Sequence, residues 1–392
     1  MHVRRERRAG KDGAVNRVEG KTSTKERLAS SALALFSRYW YETVSVAEIC
    51  RAAELSNGIF YRYYENKEEV FRALLDEYLE RLSSKLEGIS GDTTAERLRS
   101  FLRTVVRQIS EDWQLVSVYR EGQYRFPEYE RRLRDIYVRA ASQVYGREID
   151  EAEYVYVVGG VRFAAIRWLT GTEELETSVI EDVVLNGVFT CSFEQPDRIF
   201  PTELVPLDEE EDTSRARLLG SGVELFGSRG YYNVNVYEVA RNAGYSVGTF
   251  YLYFKTKEQF LAEIVRYIGR RTRHFITINL DDSLNRLERE LQGLYLFLTH
   301  FSQRPEYYRI VREAEFVVHE EANRYYDKFE EGYLKNLTGT RHEDADSKRI
   351  IANCLLGVSH YCGIEVLYSH NITNQYQVIL QLGRFLHQGV KP

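Results

Sequence analysis

The chain has 392 residues, of which 43% are hydrophobic, 29% charged and 13% aromatic, a balance that is typical of globular proteins. Lys and Arg number 53 against 59 Asp and Glu, for a net charge of −6, so any nucleic-acid surface must be a local basic patch. A chain of this length exceeds what one core normally supports, and we find no apolar run of about 18 residues that would predict a membrane span.

The N-terminus is charged and has no apolar h-region, which argues against a secretory signal. Four cysteines (Cys50, Cys191, Cys354 and Cys362) in so long a chain do not suggest a disulfide framework. We therefore expect a cytoplasmic protein with reduced thiols.

Residues 1–21 form a basic tail with seven basic and three acidic side chains. Such a tail is either an arm that contacts phosphates or the minor groove, or a solvated extension.

Residues 22–81 are predicted to form a helix-turn-helix unit. Ser45 and Asn66 each stand three residues before a Glu, as in capping boxes. A very short helix follows Ser56, and two short helices joined by a tight turn are typical of the motif whose second helix enters the major groove. Asn57 is the best candidate for base readout, since Asn can bond adenine through two atoms. The predicted DNA-binding residues are Ser45, Ser56, Asn57, Gly58, Tyr61, Tyr63 and Lys67.

Residues 82–190 are predicted to be a helical regulatory domain. The segment 154–158 has strand-like composition, but the helical period on both sides favours helix. Aromatic residues on such helices belong to the core or line an effector cavity between helices. Arg162 fits either an acidic ligand group or an internal ion pair. The cavity candidates are Trp113, Tyr119, Tyr124, Arg162 and Phe163.

Residues 191–212 carry three prolines followed by an acidic run, which predicts a linker. It is either weakly structured or an extended arm packed on the surface.

Residues 213–271 repeat the first unit. At an offset of 190, residues 27–71 align with 217–261 without a gap, and 18 of 45 pairs are identical. Phe250 and Phe254 are assigned to the core. Residues 213–258 have a net charge of +3, whereas residues 22–68 are neutral. The predicted DNA-binding residues are Asn235, Ser246, Val247, Gly248, Thr249, Tyr251, Tyr253 and Lys257, with Val247 placed to meet a thymine methyl.

Residues 272–392 are predicted to form a second helical regulatory domain, so the fold class is all-α. Its cavity candidates are Phe301, Phe316, Tyr333 and Tyr361. His360, Cys362 and His370 do not share a helical face, which argues against a metal site. We find no catalytic motif and predict no enzyme, cofactor or metal.

The sequence AGYSVGTFYLYFKTKEQFL (243–261) resembles the DNA-binding domain of the TetR/AcrR (tetracycline-repressor-like) family of bacterial transcription regulators. ELSNGIFYRYYENKEEVF (54–71) resembles the same signature. The resemblance implies two fused subunits, each with a helical domain that dimerises through its last two helices and usually binds a small effector.

The first repeat departs from this pattern at two turns. Trp40 stands where the second repeat has Gly230, and Glu54 stands where it has Gly244. We expect both positions to need positive φ, at a cost of about 1 kcal/mol for a non-glycine residue. Asn57 and Ile59 also replace Val247 and Thr249, which predicts a different base preference.

These features predict a ligand-responsive repressor that binds a double-stranded DNA operator with unequal half-sites. Its effector is expected to be a small apolar or aromatic molecule, and no membrane is involved. The chain acts as a monomeric pseudo-dimer or pairs further into a homodimer. The alternative is a helical small-molecule-binding or interaction protein whose DNA binding has decayed, as Trp40 and Glu54 suggest.

Overall fold

The computed structural model describes residues 23–168, 175–208 and 212–391. Across these ranges the chain is helical, and the β-type pairing is one isolated bridge between Phe189 and Thr340. The all-α class predicted from the sequence is confirmed. The basic tail predicted for residues 1–21 lies outside the described residues.

The helices of the first half range in length from three to 21 residues. Short 3-10 turns at Tyr41–Thr43 and Pro196–Ile199 accompany them. The helices are α1 (Thr24–Phe36), α2 (Val46–Ala52), α3 (Asn57–Phe60), α4 (Lys67–Glu87), α5 (Thr94–Glu111), α6 (Trp113–Arg125), α7 (Pro127–Tyr145), α8 (Glu151–Glu153), α9 (Val161–Trp168) and α10 (Thr177–Asn186).

The second half repeats this order. Its helices are α11 (Ser214–Arg229), α12 (Val236–Asn242), α13 (Val247–Tyr253), α14 (Lys257–Asn279), α15 (Arg286–Gln303), α16 (Pro305–Val317), α17 (His319–Asn336), α18 (Ala345–Gly363) and α19 (Gln375–Gln388). Helices α4 and α14 run without a break through the boundaries expected at 81/82 and 271/272.

The duplication extends beyond the segment where the two sequences align. Helices α5 and α15 have 18 residues each and start 192 positions apart. Both begin with a capping box, from Thr93 to Glu96 and from Asn285 to Glu288. The offset of 190 in the helix-turn-helix units therefore becomes 192 in the helical domains.

The strand-like segment at 154–158 is helical, as expected. Residues Tyr154–Gly160 form a π-helical stretch that joins α8 to α9. In the second half a π-helical stretch, Ile364–Tyr368, follows helix α18 instead of preceding it. Both stretches lie in the helices that join the two halves, and π-bulges of this kind shift the register of a helix face.

The two halves pack together through helices α9 and α10 of the first and α18 and α19 of the second. Gly160 and Gly357 face each other where α9 and α18 cross. A Cβ added at Gly357 would lie 2.9 Å from the Cα of Gly160 and 2.6 Å from the Cβ of Phe163. Only glycine lets the two backbones approach this closely, so this crossing fixes how the halves sit.

Polar contacts reinforce the crossing. Arg162 donates to the Tyr361 hydroxyl at 2.7 Å, and Arg120 pairs with Glu315 at 2.6 Å. The backbone N–H of Val188 donates to the carbonyl of Leu386 at 2.7 Å. The halves therefore share one continuous core.

The linker is a strap packed against the second half, which agrees with the second of the two predicted alternatives. Ile199 is fully buried, and the ring of Phe200 packs on Tyr295 and Tyr376. The carboxylate of Glu288 accepts hydrogen bonds from the backbone of Glu194 and Gln195. Residues 209–211 lie outside the described part.

One helix in the described ranges, Ala345–Tyr368, is long and apolar enough to cross a membrane by length and composition. The sequence analysis, which found no apolar run of about 18 residues, missed this stretch. In the structure, 83% of its most apolar window is buried inside the molecule, where it forms the centre of the packing between the halves.

Candidate nucleic-acid interface

Each repeat presents a short second helix after a tight turn. In the second repeat, α13 has seven residues, and the Ser246 hydroxyl accepts from the backbone N–H of Thr249 at 3.2 Å. In the first, α3 has four residues, and Ser56 makes no side-chain cap bond. The two candidate recognition helices therefore differ in length and in how they begin.

Four tyrosines line the outer face of these segments. Tyr61, Tyr63, Tyr251 and Tyr253 are between 40% and 60% exposed. Phenolic hydroxyls can donate to phosphate oxygens. The pairwise match at an offset of 190 gives both repeats the same two hydroxyls.

The remaining predicted base-contact residues fall into two groups. Ser56, Asn57, Gly58, Ser246 and Gly248 are exposed, whereas Val247 and Thr249 are half-buried. A Cβ at Gly58 would have no atom within 4 Å, so this position is open toward a partner. Phe250 and Phe254 are buried, as assigned from the sequence.

Ser45 and Asn235 are occupied as helix caps. Each side chain accepts from the backbone N–H three residues later, and Glu48 and Glu238 return the bond to the cap backbone. Their DNA contacts stay predictions. The caps fix the start of the first helix of each motif.

Lys67 and Lys257 lie against rings inside their own domains. The Nζ of Lys67 is 4.0 Å from the ring centre of Tyr41 and donates to the Tyr41 carbonyl at 2.7 Å. The Nζ of Lys257 is 4.1 Å from the ring of Tyr231. Burial lowers the pKa of both ammonium groups. Their first role is structural, and phosphate contact by these lysines stays a prediction.

The backbone N–H groups of Tyr41 and Tyr231 donate hydrogen bonds to glutamates of the helical domains. The backbone N–H of Tyr41 donates to both carboxylate oxygens of Glu121 at 3.1 and 3.2 Å. The N–H of Tyr231 donates to Glu313 at 2.8 Å. Burial raises the pKa of Glu121 to about 7. Helices α6 and α16 are thus tied to the DNA-binding units by the same bond in each half.

The two DNA-binding units touch through Trp40. Its ring centre lies 5.9 Å from that of Tyr231 and 5.7 Å from that of Tyr232. The expectation of positive φ at Trp40 is wrong: its φ is −57°, whereas Gly230 has φ +78°. The chain after α1 takes a different path from the chain after α11, and this path directs the indole toward the other unit.

The expectation of positive φ at the second turn is confirmed. Glu54 has φ +54° and Gly244 has φ +80°. Glu54 is exposed, and no contact explains a glutamate in a left-handed conformation.

Sequence analysis missed Leu252, which is 82% exposed at the end of α13. Its counterpart in the first repeat is the exposed Arg62. A bulky apolar side chain next to two exposed tyrosines is a signal of a contact surface, and it was visible in the alignment of the repeats.

The nine cavity candidates do not lie in one place. Arg162, Phe163 and Tyr361 line a cavity of about 180 Å³ between the halves, and Tyr333 lines one of about 630 Å³ in the second half. Tyr124, Phe316 and Tyr368 form an aromatic cluster between α6, α16 and the π-helical stretch after α18. Tyr119 and Phe301 are buried in the core, and Trp113 is 47% exposed at the start of α6.

The family model described as "Bacterial regulatory proteins, tetR family" matches residues 28–74 and 218–264. Among curated relatives, the uncharacterised helix-turn-helix transcriptional regulator YdgC of Bacillus subtilis is 25% identical over 160 residues, covering 37% of this chain and 76% of YdgC. The transcriptional repressor KstR of Rhodococcus jostii is 27% identical over 88 residues, covering 22% of this chain and 42% of KstR.

Two solved structures align with just under half of this chain. The fatty acid degradation regulator FadR from Bacillus halodurans aligns with a TM-score of 0.38 and 16% identity, covering 46% of this chain and 98% of FadR. A putative TetR-family regulator from Syntrophomonas wolfei aligns with a TM-score of 0.39 and 19% identity, covering 44% of this chain and 94% of its own.

The two matched segments coincide with the two helix-turn-helix units described above, one in each half. The relatives are named as transcriptional regulators of the helix-turn-helix type. This chain therefore carries the DNA-binding domain of the TetR family twice, in tandem, and is a DNA-binding transcription regulator.

Proposed function

We propose that the protein is a ligand-responsive repressor that binds its operator as a one-chain pseudo-dimer in the cytoplasm. The observation that carries the proposal is that one chain contains two exposed helix-turn-helix units. The two halves that contain them are packed together at the close crossing of Gly160 and Gly357. In dimeric helix-turn-helix proteins, two recognition helices enter major grooves one helical turn apart, about 34–36 Å. Here, one chain supplies both helices.

The two half-sites are expected to be unequal. Helix α3 carries Asn57 and Ile59 where α13 carries Val247 and Thr249. An exposed Asn favours adenine, and small aliphatic and hydroxyl side chains favour thymine methyls and other edges. Helix α3 has four residues and α13 has seven, and this difference in length also favours unequal half-sites.

Ligand response requires a path from a cavity to a DNA-binding unit. Helix α16 supplies Tyr308, Val311 and Arg312 to the wall of the 630 Å³ cavity. The same helix holds the backbone of Tyr231 through Glu313. A ligand that favours another position of α16 would therefore shift the pose of the second unit and lower the affinity for DNA.

Selection of binding sites from random DNA tests this function, together with light scattering. We expect one composite site of two different half-sites, bound by a particle of 45.9 kDa. A perfectly symmetric consensus bound by a particle of twice that mass would show instead that whole chains pair through like repeats. A reporter gene downstream of the selected site should fall in expression when the protein is present.

The second candidate is a ligand-binding or interaction protein with decayed DNA binding. It is favoured by the first repeat alone, which is electrically neutral over residues 22–68 and has a strained turn at Glu54. Weak mobility-shift binding with no preference between the selected site and a scrambled duplex would support this candidate.

A further inference from the structure

The second helical domain contains an open cavity of about 630 Å³, a volume within the range of small-molecule sites. Its walls are formed by helices α14 to α18, and they include the aromatic rings of Tyr325, Phe329 and Tyr333. Gly293 of α15 lies in the wall, and a Cβ added there would have no atom within 4 Å. The space in front of Gly293 is therefore empty.

The first half fills the same place. At the offset of 192 that relates α5 to α15, the counterpart of Gly293 is Phe101. The Phe101 ring is fully buried. Glu290 of the cavity wall likewise has Leu98 as its counterpart, also fully buried. Apolar side chains thus occupy in one half the volume that stands open in the other.

The cavity is rich in positive charge. Arg273, Arg286, Arg289 and Arg312 line it, and Glu290 is the one acidic residue in its lining. Three of these arginines already have carboxylate partners, which are Glu290 for Arg286, Asp282 for Arg289 and Glu315 for Arg312.

Arg273 differs from the other three. It is half-buried on α14, its guanidinium lies over the ring of Phe329 at 5.4 Å, and it forms no ion pair within the described residues. Burial lowers its pKa, and the nearby carboxylate of Glu331 offsets this effect only in part, as expected for a cation that has lost water without forming an ion pair. An anionic ligand group placed beside Phe329 would pair with the Arg273 guanidinium and compensate for its lost hydration.

We propose that the chain binds one ligand, in its second half only, and that the ligand is an amphipathic organic anion. Its acidic group pairs with Arg273 and its apolar body lies among Tyr325, Phe329 and the open face of Gly293. Phe101 prevents an equivalent site in the first half. This inference rests on the proposed ligand response and names its site, stoichiometry and ligand chemistry.

Two fluorescent probes of similar shape test the proposal by direct binding to the full chain. The anion is 8-anilinonaphthalene-1-sulfonate, and the neutral analogue is N-phenyl-1-naphthylamine. We expect saturable binding of one sulfonate per chain. Arg273→Gln should weaken the sulfonate at least tenfold and change the affinity of the neutral probe less than twofold.

Gly293→Phe copies the residue of the first half and should abolish saturable binding of both probes. Arg384→Gln, which removes an exposed arginine of α19 that is not in the cavity lining, should change neither affinity. Circular dichroism and light scattering establish that each variant is folded. If Gly293→Phe does not fold, Arg273→Gln decides the matter by itself.

The proposal is overturned by two equal sites per chain, by undiminished sulfonate binding to folded Gly293→Phe, or by equal loss of both probes in Arg273→Gln. A separate titration of the operator complex with the sulfonate tests the proposed function. If the sulfonate binds at this site but does not change the affinity for DNA, the proposed ligand site is supported and the proposed ligand response is contradicted.

Discussion

Glu54 and Gly244 occupy the same turn of the two helix-turn-helix units and adopt similar left-handed conformations. Only glycine adopts this conformation without a steric penalty, which is about 1 kcal/mol or somewhat more for other residues. Glu54→Gly should therefore raise the free energy of unfolding by about 1 kcal/mol, as measured by urea denaturation.

The second repeat offers the matched control. Gly244→Glu should lower the free energy of unfolding by a similar amount, because a Cβ at Gly244 meets no atom within 4 Å and only the backbone is strained. A neutral result for both substitutions would mean that the strain is relieved elsewhere in the turn.

The buried carboxyl group of Glu121 makes stability depend on pH. Burial raises its pKa from 4.5 to about 7, so the folded protein holds a proton that the unfolded chain releases. Stability is unaffected by this group below about pH 4.5 and falls as the pH rises through 7. The full loss is on the order of 3 kcal/mol.

Glu121→Gln keeps an acceptor for the Tyr41 backbone N–H and removes the titration. We expect the variant and the parent to have equal unfolding free energies at about pH 4, below the pKa of the unfolded carboxyl group, and the variant to be more stable at pH 8. Urea denaturation at intervals between these values measures the difference. Parallel pH profiles for the two proteins would contradict the assignment.

The sequence predicted which helix and which face a residue occupies better than it predicted the interaction partner of its side chain. The lysines at the start of α4 and α14 were expected to reach phosphates, yet each lies over a tyrosine ring of its own domain. Arg162 donates to Tyr361, 199 positions away. Periodicity indicates which face of a helix is buried, but it does not name a partner that the other half provides.

At the scale of elements, the sequence predicted the helices and most of their starts. The capping box expected at Ser45 is present, whereas at Asn66 only the side chain accepts a hydrogen bond, from the backbone N–H of Glu69. Phe250 and Phe254 are buried, as assigned from the sequence. The paths between helices were less predictable. The chain after α1 differs from that after α11, although 18 of 45 aligned pairs in the two repeats are identical.

This different path creates the contact between the DNA-binding units. Trp40 packs on Tyr231 and Tyr232, and an aromatic pair contributes about 0.5–1.5 kcal/mol beyond its buried area. Trp40→Ala should release the first unit from the second and weaken binding to the selected operator about tenfold, because the pose must then be ordered on binding.

Fluorescence anisotropy with a labelled operator measures this effect. Trp113→Ala removes a half-exposed indole at the start of α6 and serves as the control, with unchanged affinity. Tighter binding by Trp40→Ala would show that the contact holds the units in a pose that opposes DNA binding.

At the scale of the whole molecule, fusion removes the symmetry that a homodimer imposes. Two identical subunits must present the same recognition helix and the same cavity, as closed symmetry requires. Here the repeats have diverged separately. The recognition segments differ at Asn57 and Ile59, and Phe101 fills in one half the space that Gly293 leaves open in the other. One chain can thus pair an asymmetric operator with a single cavity.

The same freedom predicts how operator choice can be changed. Asn57→Val combined with Ile59→Thr gives the first recognition segment the core sequence of the second, SVGTFY. If α3 and α13 read separate half-sites, sites selected by this variant should become more nearly palindromic. Affinity for the parental operator should fall by roughly 5- to 100-fold, since each lost base contact costs about 1–3 kcal/mol.

The reciprocal variant, Val247→Asn with Thr249→Ile, is the matched control. It should alter the other half-site and leave the one read by α3 unchanged. Selection from random DNA with parent and both variants separates these outcomes. An identical consensus for all three proteins would mean that these side chains do not contact bases, and that contacts elsewhere, such as those of the exposed tyrosines, set the binding site.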